Sequence, residues 1–499
     1  MENIKKQYKD ASIYFMNKKV FIVVVILITI LSFGFTITNS SVGMDDVSFD
    51  RYYQGKEMLA IGRWGSYIVY QSLNITGFIP FWIDFIASVV ILSVAILWCI
   101  FLKKNLGDKL SIASYIIFAS VYISFPIINE IFIYENCNIA VMLGSFLASI
   151  GIMLFYENFN NIHKKSIYIY CVLILTLGIS MYEACAQIVL LSIIITAFLI
   201  MYKNQDEKNK NIFKYIFLAL GIFMLAVILN SIIVKIIYLL GVSASAVAEK
   251  QIGWGKNNLN VSLTLLVIYI FDAVKNVIYL PVLVLDITAI IGFLIGIIQT
   301  YKKQNYMIIL LYVCMVLSNF AISILQLNMV MYRTCTSWGL FVALIVMILY
   351  NYLKKNEITK IISSVFIVIL ILQQTKYLNQ LFYNDYIRYQ KDLHVAYELI
   401  DRLEEGYNIS KPLVITGKPD KGVGDFGTQS NGLSILWWGK KAFEGTGSEY
   451  IKFLNSLGYD FKMPTEEQYK KGNEEAKNMN TYPKEDSIKE LEECIVINF

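Results

Sequence analysis

Apolar residues in this chain come in blocks long enough to fill a bilayer, separated by short polar turns that carry lysine. The blocks fall at about 20–38, 79–102, 110–128, 138–155, 166–181, 184–202, 212–240, 281–300, 306–327, 334–351 and 361–378. Most approach the roughly 20 residues that an α-helix needs to cross a hydrocarbon core of about 30 Å. The pattern predicts an all-α polytopic membrane protein of about eleven transmembrane helices. Two other stretches have apolar residues at helical spacing but are interrupted. The segment from Asn260 to Leu280 is broken by Asp272 and Lys275, and reads as an interfacial amphipathic helix rather than a span. Asp50 to Leu73 is similar: Met58, Ile61, Trp64 and Ile68 share a face, while Gly62 and Gly65 weaken the middle.

Beyond residue 379 the pattern changes. Apolar density falls and turn signals rise. A helix is expected over about 384–405, a strand over Pro412–Gly417, a helix over Tyr450–Leu457 and a closing strand over Cys494–Phe499. The expectation is a transmembrane bundle over 1–379, with long loops at 39–78 and 241–280, followed by a small α/β domain over 380–499.

Charge orients this arrangement. The chain is 57% hydrophobic and 16% charged, where a soluble protein carries about 25% charged residues. Lys103, Lys104 and Lys109, then Lys164 and Lys165, Lys203, Lys208 and Lys210, Lys302 and Lys303, and Lys354, Lys355 and Lys360 occupy alternate loops. The positive-inside bias makes those loops cytoplasmic, together with the N-terminus. Both long loops and everything after about 379 then face outward. Lys5, Lys6, Lys9, Lys18 and Lys19 resemble the basic region of a signal peptide. The run after them is nearer a full span and lacks an Ala-x-Ala site, so it is expected to remain as a first helix.

The candidate chemistry gathers in the outer loops. Asp45 and Asp46 sit where the chain leaves the first span. A carboxylate in a partly dry cleft can take the proton of a hydroxyl that attacks a sugar. The pair suits a solvated loop, a helix cap or a cation site equally well. The sequence has five arginines, Arg51, Arg63, Arg333, Arg388 and Arg402, all on the expected outer side. Arginine's planar fork grips phosphate bidentately where lysine acts as a point charge. Arg63, Arg333 and Arg51 are therefore candidate phosphate ligands, with snorkelling as the competing account. Glu135 and Glu183 in short outer turns could take acceptor hydroxyls, or be solvated. Trp64 and Tyr182 could stack on a sugar or belong to an interfacial aromatic belt. Asp84, near the outer end of a span, reads as a snorkelling acid. With two histidines and seven cysteines at no ligand spacing, no metal cage or other cofactor is expected.

An outward acidic pair followed by Met58-Leu59-Ala60-Ile61-Gly62-Arg63-Trp64 resembles the first outer loop of GT-C glycosyltransferases. Asp45, Asp46 and Gly62-Arg63-Trp64 are most similar to the bacterial Gtr-type glucosyltransferase family, which decorates O-antigens and other surface polymers. The resemblance implies a multi-pass enzyme of the bacterial plasma membrane, with its C-terminus outside the cytoplasm. It implies inverting transfer of a sugar, usually glucose, from a polyprenyl-phosphate donor to a cell-surface polysaccharide or teichoic-acid-type acceptor. By the same resemblance Asp45 is the general base, and Asp46 binds the acceptor or shares that role.

A transporter or flippase for a lipid-linked glycan is the alternative from another class. It would place charged residues at mid-depth or repeat its halves, and the apolar runs are almost free of mid-span charge. A polysaccharide polymerase would also use outer arginines, but has less need of the early acidic pair. No basic stripe interleaved with aromatics points to nucleic acid.

Overall fold

The computed structural model describes residues 2–43, 45–48, 56–75, 79–159, 165–203, 210–245, 258–277, 290–298, 306–327, 332–354, 356–417, 435–436 and 448–499. The molecule is mostly helical, with a helix at each expected apolar run; the 281–300 run is described only over 290–298. Among the described residues six helices are long and apolar enough to cross a membrane: Lys19–Thr38, Pro80–Lys109, Ile112–Phe132, Asn138–Asn158, Asn211–Leu239 and Glu357–Gly406. Shorter apolar helices accompany them at Ser166–Met181, Cys185–Met201, Leu259–Phe271, Met307–Ser318 and Ser337–Leu353. These long apolar helices are compatible with a membrane protein.

The two ends of the bundle are chemically different. Helix α1 (Glu2–Met16) lies at the lysine-bearing end, burying Ala11 and Phe15, with Phe15 edge-on to Tyr115 at 5.2 Å. It docks on the C-terminal ends of α5 (Pro80–Leu106) and α8 (Asn138–Asn158). There Tyr8 donates to Glu157 Oε1 at 3.1 Å, Lys104 pairs with Glu157, and Lys103 lies 4.0 Å from the centre of the Tyr14 ring. Both helices start at the opposite end, α5 with Pro80 in its first turn. At 1.5 Å per residue, α8 alone separates the two ends by about 30 Å.

Small residues let the central helices approach closely. Gly144 and Gly151 of α8 face α9 (Lys165–Met181), where a Cβ on Gly144 would lie 2.8 Å from the Gly178 carbonyl oxygen. Such contacts are how apolar helices associate without a hydrophobic driving force between them. Helix α10 (Cys185–Lys203) and α11 (Lys210–Leu239) follow, and much of α11 faces outward.

Two expectations need correction. The segment Asp50 to Leu73 is not one helix: over its described part, Glu57–Ala60 (α3) and Trp64–Ser72 (α4) are separated at Gly62, whose φ of +83° ends the first turn. The boundary at 379/380 is also crossed without a break. One helix of 50 residues, Glu357–Gly406, carries the chain through it. Its length is about 75 Å, more than twice a bilayer core of about 30 Å.

After that helix comes a three-stranded sheet of order β1-β3-β2. The central β3 (Ile495–Asn498) is parallel to β1 (Leu413–Thr416) and antiparallel to β2 (Ile488–Glu490). The expected strands and the helix Ser448–Ser456 are present; β2 and the helix Glu466–Glu475, opened by a Thr465/Gln468 capping box, were not anticipated. Leu399, Ile400 and Leu403 of the long helix and Tyr450, Phe453 and Leu454 share one apolar cluster with the sheet. Val42 and Val47, which flank the acidic pair, belong to the same cluster.

Candidate active site

The acidic pair lies in a short 3-10 turn, Asp45–Ser48, which follows α2 (Lys19–Thr38). Asp46 is 2% exposed, and both its carboxylate oxygens are occupied by backbone donors. Oδ2 accepts from Gly43 N at 3.1 Å and from Glu135 N at 3.3 Å, and Oδ1 accepts from Asn136 N at 3.0 Å. Asp46 thus ties the 43–48 loop to the 133–138 loop. Gly43 is required by that closeness: a Cβ there would meet Ile133 O at 2.6 Å and Asp46 Oδ2 at 2.8 Å. Burial pushes the Asp46 carboxyl up to about 7, and the neighbouring Asp45 charge adds to this, while the three N–H donors pull it down. Asp45 is less buried than Asp46 and sits within electrostatic reach of Arg333 and Tyr134.

Two guanidinium groups close the other sides. Arg63, at the start of α4, bonds Glu183 through Nε at 3.1 and 3.2 Å and through Nη2 at 3.0 Å. Its carbon lies 4.3 Å from the centre of the Tyr182 ring. The side chains are 22% and 50% exposed, and an ion pair this open to solvent contributes about 0.2–1 kcal/mol. Arg333, in the 3-10 turn Tyr332–Cys335, lies 4.7 Å from the centre of the Tyr134 ring. Among the described residues no carboxylate forms an ion pair with it. Both guanidiniums lie within electrostatic reach of the Tyr182 phenol and the Cys137 thiol, so they stand at the same end of the bundle. The Arg333 backbone N–H also bonds Glu130.

Most residues singled out from the sequence therefore meet at one end of the bundle. Trp64 is fixed beside Arg63 by an Nε1 bond to Asn230 Oδ1 of α11 at 2.8 Å. Glu135 is 2% exposed, burial pushes its carboxyl well above the usual range, and its Oε2 has no hydrogen-bond partner among the described residues. Tyr182 is covered on one face by Arg63, and Glu183 is engaged by it. Arg51 lies outside the described residues. Among the described residues no three His, Cys, Asp or Glu side chains are grouped to hold a metal ion.

The family described as Glucosyl transferase GtrII matches residues 34–350, a stretch that includes Asp45, Asp46, Arg63, Glu135, Glu183 and Arg333. The chain belongs to the GtrII glucosyltransferase family. Neither a curated protein nor a solved structure matches it. The GtrII match ends before the long helix Glu357–Gly406 and the sheet, so both supports of the acidic loop on that side lie outside it.

Two features of this GtrII chain escaped sequence reasoning. Asp84 does not snorkel. It is 2% exposed, accepting from Thr36 Oγ1 at 2.9 Å and from Asn138 Nδ2 at 2.8 Å, and it lies within electrostatic reach of Asp46 and Glu135. A charge inside an apolar run was the available signal. Arg388 is also buried, pairing with Asp392 Oδ2 at 3.4 Å and donating from Nη2 to Val42 O at 3.0 Å. Its i,i+4 spacing from Asp392 is visible in the sequence; its link to the acidic loop is not.

Proposed function

We propose that this chain is an inverting glucosyltransferase of the outer face of the bacterial plasma membrane. It moves glucose from a polyprenyl-phosphate carrier to a cell-surface polysaccharide or teichoic-acid-type acceptor. The observation that carries this reading is the meeting of the acidic turn with Arg63 and Arg333, at the bundle end opposite the lysines. A prenyl-phosphate donor needs cationic charge where its phosphate leaves, and a base on the other side of the sugar. The lysine-rich end faces the cytoplasm in this reading, which puts the pocket and the C-terminal sheet outside.

Asp45 takes the acceptor proton as the acceptor oxygen attacks C1. Asp46, saturated by backbone donors, holds the turn in place and does not touch the acceptor. Arg333 receives the donor phosphate. Trp64 offers a ring for the sugar, and Glu135 Oε2 an acceptor for a sugar hydroxyl. Tyr182 serves as the platform for Arg63. The leaving-group charge is met by arginine, so this mechanism invokes no metal.

The test uses purified protein in lipid nanodiscs with a polyprenyl-phosphoglucose and an acceptor glycan. Asp45→Asn is expected to lower transfer by about 10²–10⁴-fold, the usual span for a lost acid–base group, with unchanged membrane accumulation. An active Asn variant sinks the assignment of Asp45. Donor movement across the bilayer without glucosyl transfer by the wild type would replace the enzyme reading with a flippase.

A further inference from the structure

Arg63 and Arg333 stand at the same end of the bundle but in different states. Arg63 is held by Glu183 through three contacts of 3.0–3.2 Å. Arg333 forms no such ion pair among the described residues; its guanidinium lies against the Tyr134 ring, within electrostatic reach of Tyr182 and Asp45. Glu183 thus neutralises Arg63, and of the two guanidiniums Arg333 is the one without an ion-paired carboxylate among the described residues.

The donor proposed above is a phosphodiester with a single negative charge. The carrier it leaves behind is a phosphate monoester carrying about 1.5 to 2 charges near pH 7. The anion held by the pocket thus gains close to one charge during the reaction. Catalysis requires that the matching cation be used at the transition state, not already spent on the bound donor.

We propose that Glu183 is a built-in counterion: it occupies Arg63 while the phosphodiester is bound, and yields it as the sugar–phosphate bond breaks. This rests on the polyprenyl-phosphate reading. The acceptor hydroxyl gives its proton to Asp45, and its oxygen forms the new bond to C1. The electron pair of the breaking C1–O bond stays on the phosphate oxygen. Arg63 turns from Glu183 to that oxygen, and the diester becomes a monoester. Glu183, half exposed at the tip of the turn between α9 and α10, then competes with the monoester for Arg63 and speeds its departure. Glu183 is accordingly a positioning residue that acts through Arg63, and not an acceptor ligand.

The competition is selective for charge, which a structural role for Glu183 would not be. The experiment measures binding of a polyprenyl phosphate and of its methyl phosphodiester to the full-length protein in nanodiscs, with thermal unfolding followed in parallel. Glu183→Gln is expected to tighten the monoester about tenfold and the diester less than about threefold, a coupling of ordinary size between charged groups. Turnover should become limited by product release, with a burst of transfer. Glu183→Asp should stay near wild type. Arg63→Gln should weaken the monoester more than the diester, and this second variant tests the idea even if Glu183→Gln folds poorly. Equal tightening of both ligands, or none, overturns the counterion role. Failure of the wild type to bind either prenyl ligand overturns the donor reading and this inference with it. Wild-type binding with no selective change in either variant overturns the inference alone.

Discussion

Asp45 and Asp46 are adjacent in sequence and opposite in environment. Asp46 is sealed by three backbone N–H groups, while Asp45 is only partly buried and lies within electrostatic reach of Arg333. Sequence pointed to the pair, and the family resemblance made Asp45 the base, but a 3-10 turn sends successive side chains in different directions and no spacing rule says which is buried. The pH dependence should separate them. The Asp46 carboxyl is raised from 3.8 to about 7, first by burial. An acid that titrates higher in the native state than in the unfolded chain favours folding when protonated. Its contribution is full below pH 3.8 and is lost as pH rises through about 7. Thermal unfolding of the wild type should therefore show a loss of stability across that window, and Asp46→Asn should flatten it. An unchanged slope in the variant would mean that other acids, Glu135 or Asp84, carry the effect. Asp84 shows what a single sequence conceals: an acid in an apolar helix announces a partner, but not that Thr36 and Asn138 supply it.

At the scale of elements, long apolar helices and the two longer strands were legible because their signals are continuous: twenty apolar residues, or four β-branched and aliphatic residues after a turn. What failed were boundaries set by tertiary contact. The drop in apolar density near 379 reads as a domain edge, yet the helix continues because its outer half finds Ala396, Leu399, Ile400 and Leu403 an apolar cover. Strand β2 has three residues, two of them exposed, and no alternation to detect. Helix α4 was seen, but not its seat. Ser66 Oγ donates to Met181 O at 2.5 Å, Tyr70 OH donates to Glu135 O at 2.7 Å, and Gly65 lies against Ser180 at the end of α9. A Cβ on Gly65 would meet Ser180 Oγ and come within 3.2 Å of Met181 N. Gly65→Ala should cost about 1–3 kcal/mol of overpacking and shift Arg63 and Trp64 together. The expected result is protein that still accumulates in the membrane with glucosyl transfer reduced more than about tenfold, since positioning losses of this kind reach about 10²-fold. Full activity in this variant would show that α4 does not fix the pocket.

For the molecule as a whole, the GtrII match and the conspicuous motif both lie in the first 350 residues, but the acidic turn is braced from further along. Arg388 reaches back to Val42, 346 residues away, while Asp392 anchors Ile435 N at 2.9 Å. Removing one partner of a buried pair costs about 3–5 kcal/mol, because the other charge is left without compensation. Arg388→Ala should loosen the sheet and the turn together. Limited proteolysis should cut the region after Gly406 faster, and transfer should fall even though no residue of the pocket has changed. Retained protease resistance with lost transfer would indicate that Arg388 acts on the pocket directly.

The same brace sets an order of events during synthesis. The helices of the bundle are all made while the acidic turn still lacks part of its apolar cover, because Tyr450, Phe453 and the central strand Ile495–Asn498 follow them in the chain. That cover is complete only when residues made hundreds of positions later fold back over the beginning of the chain.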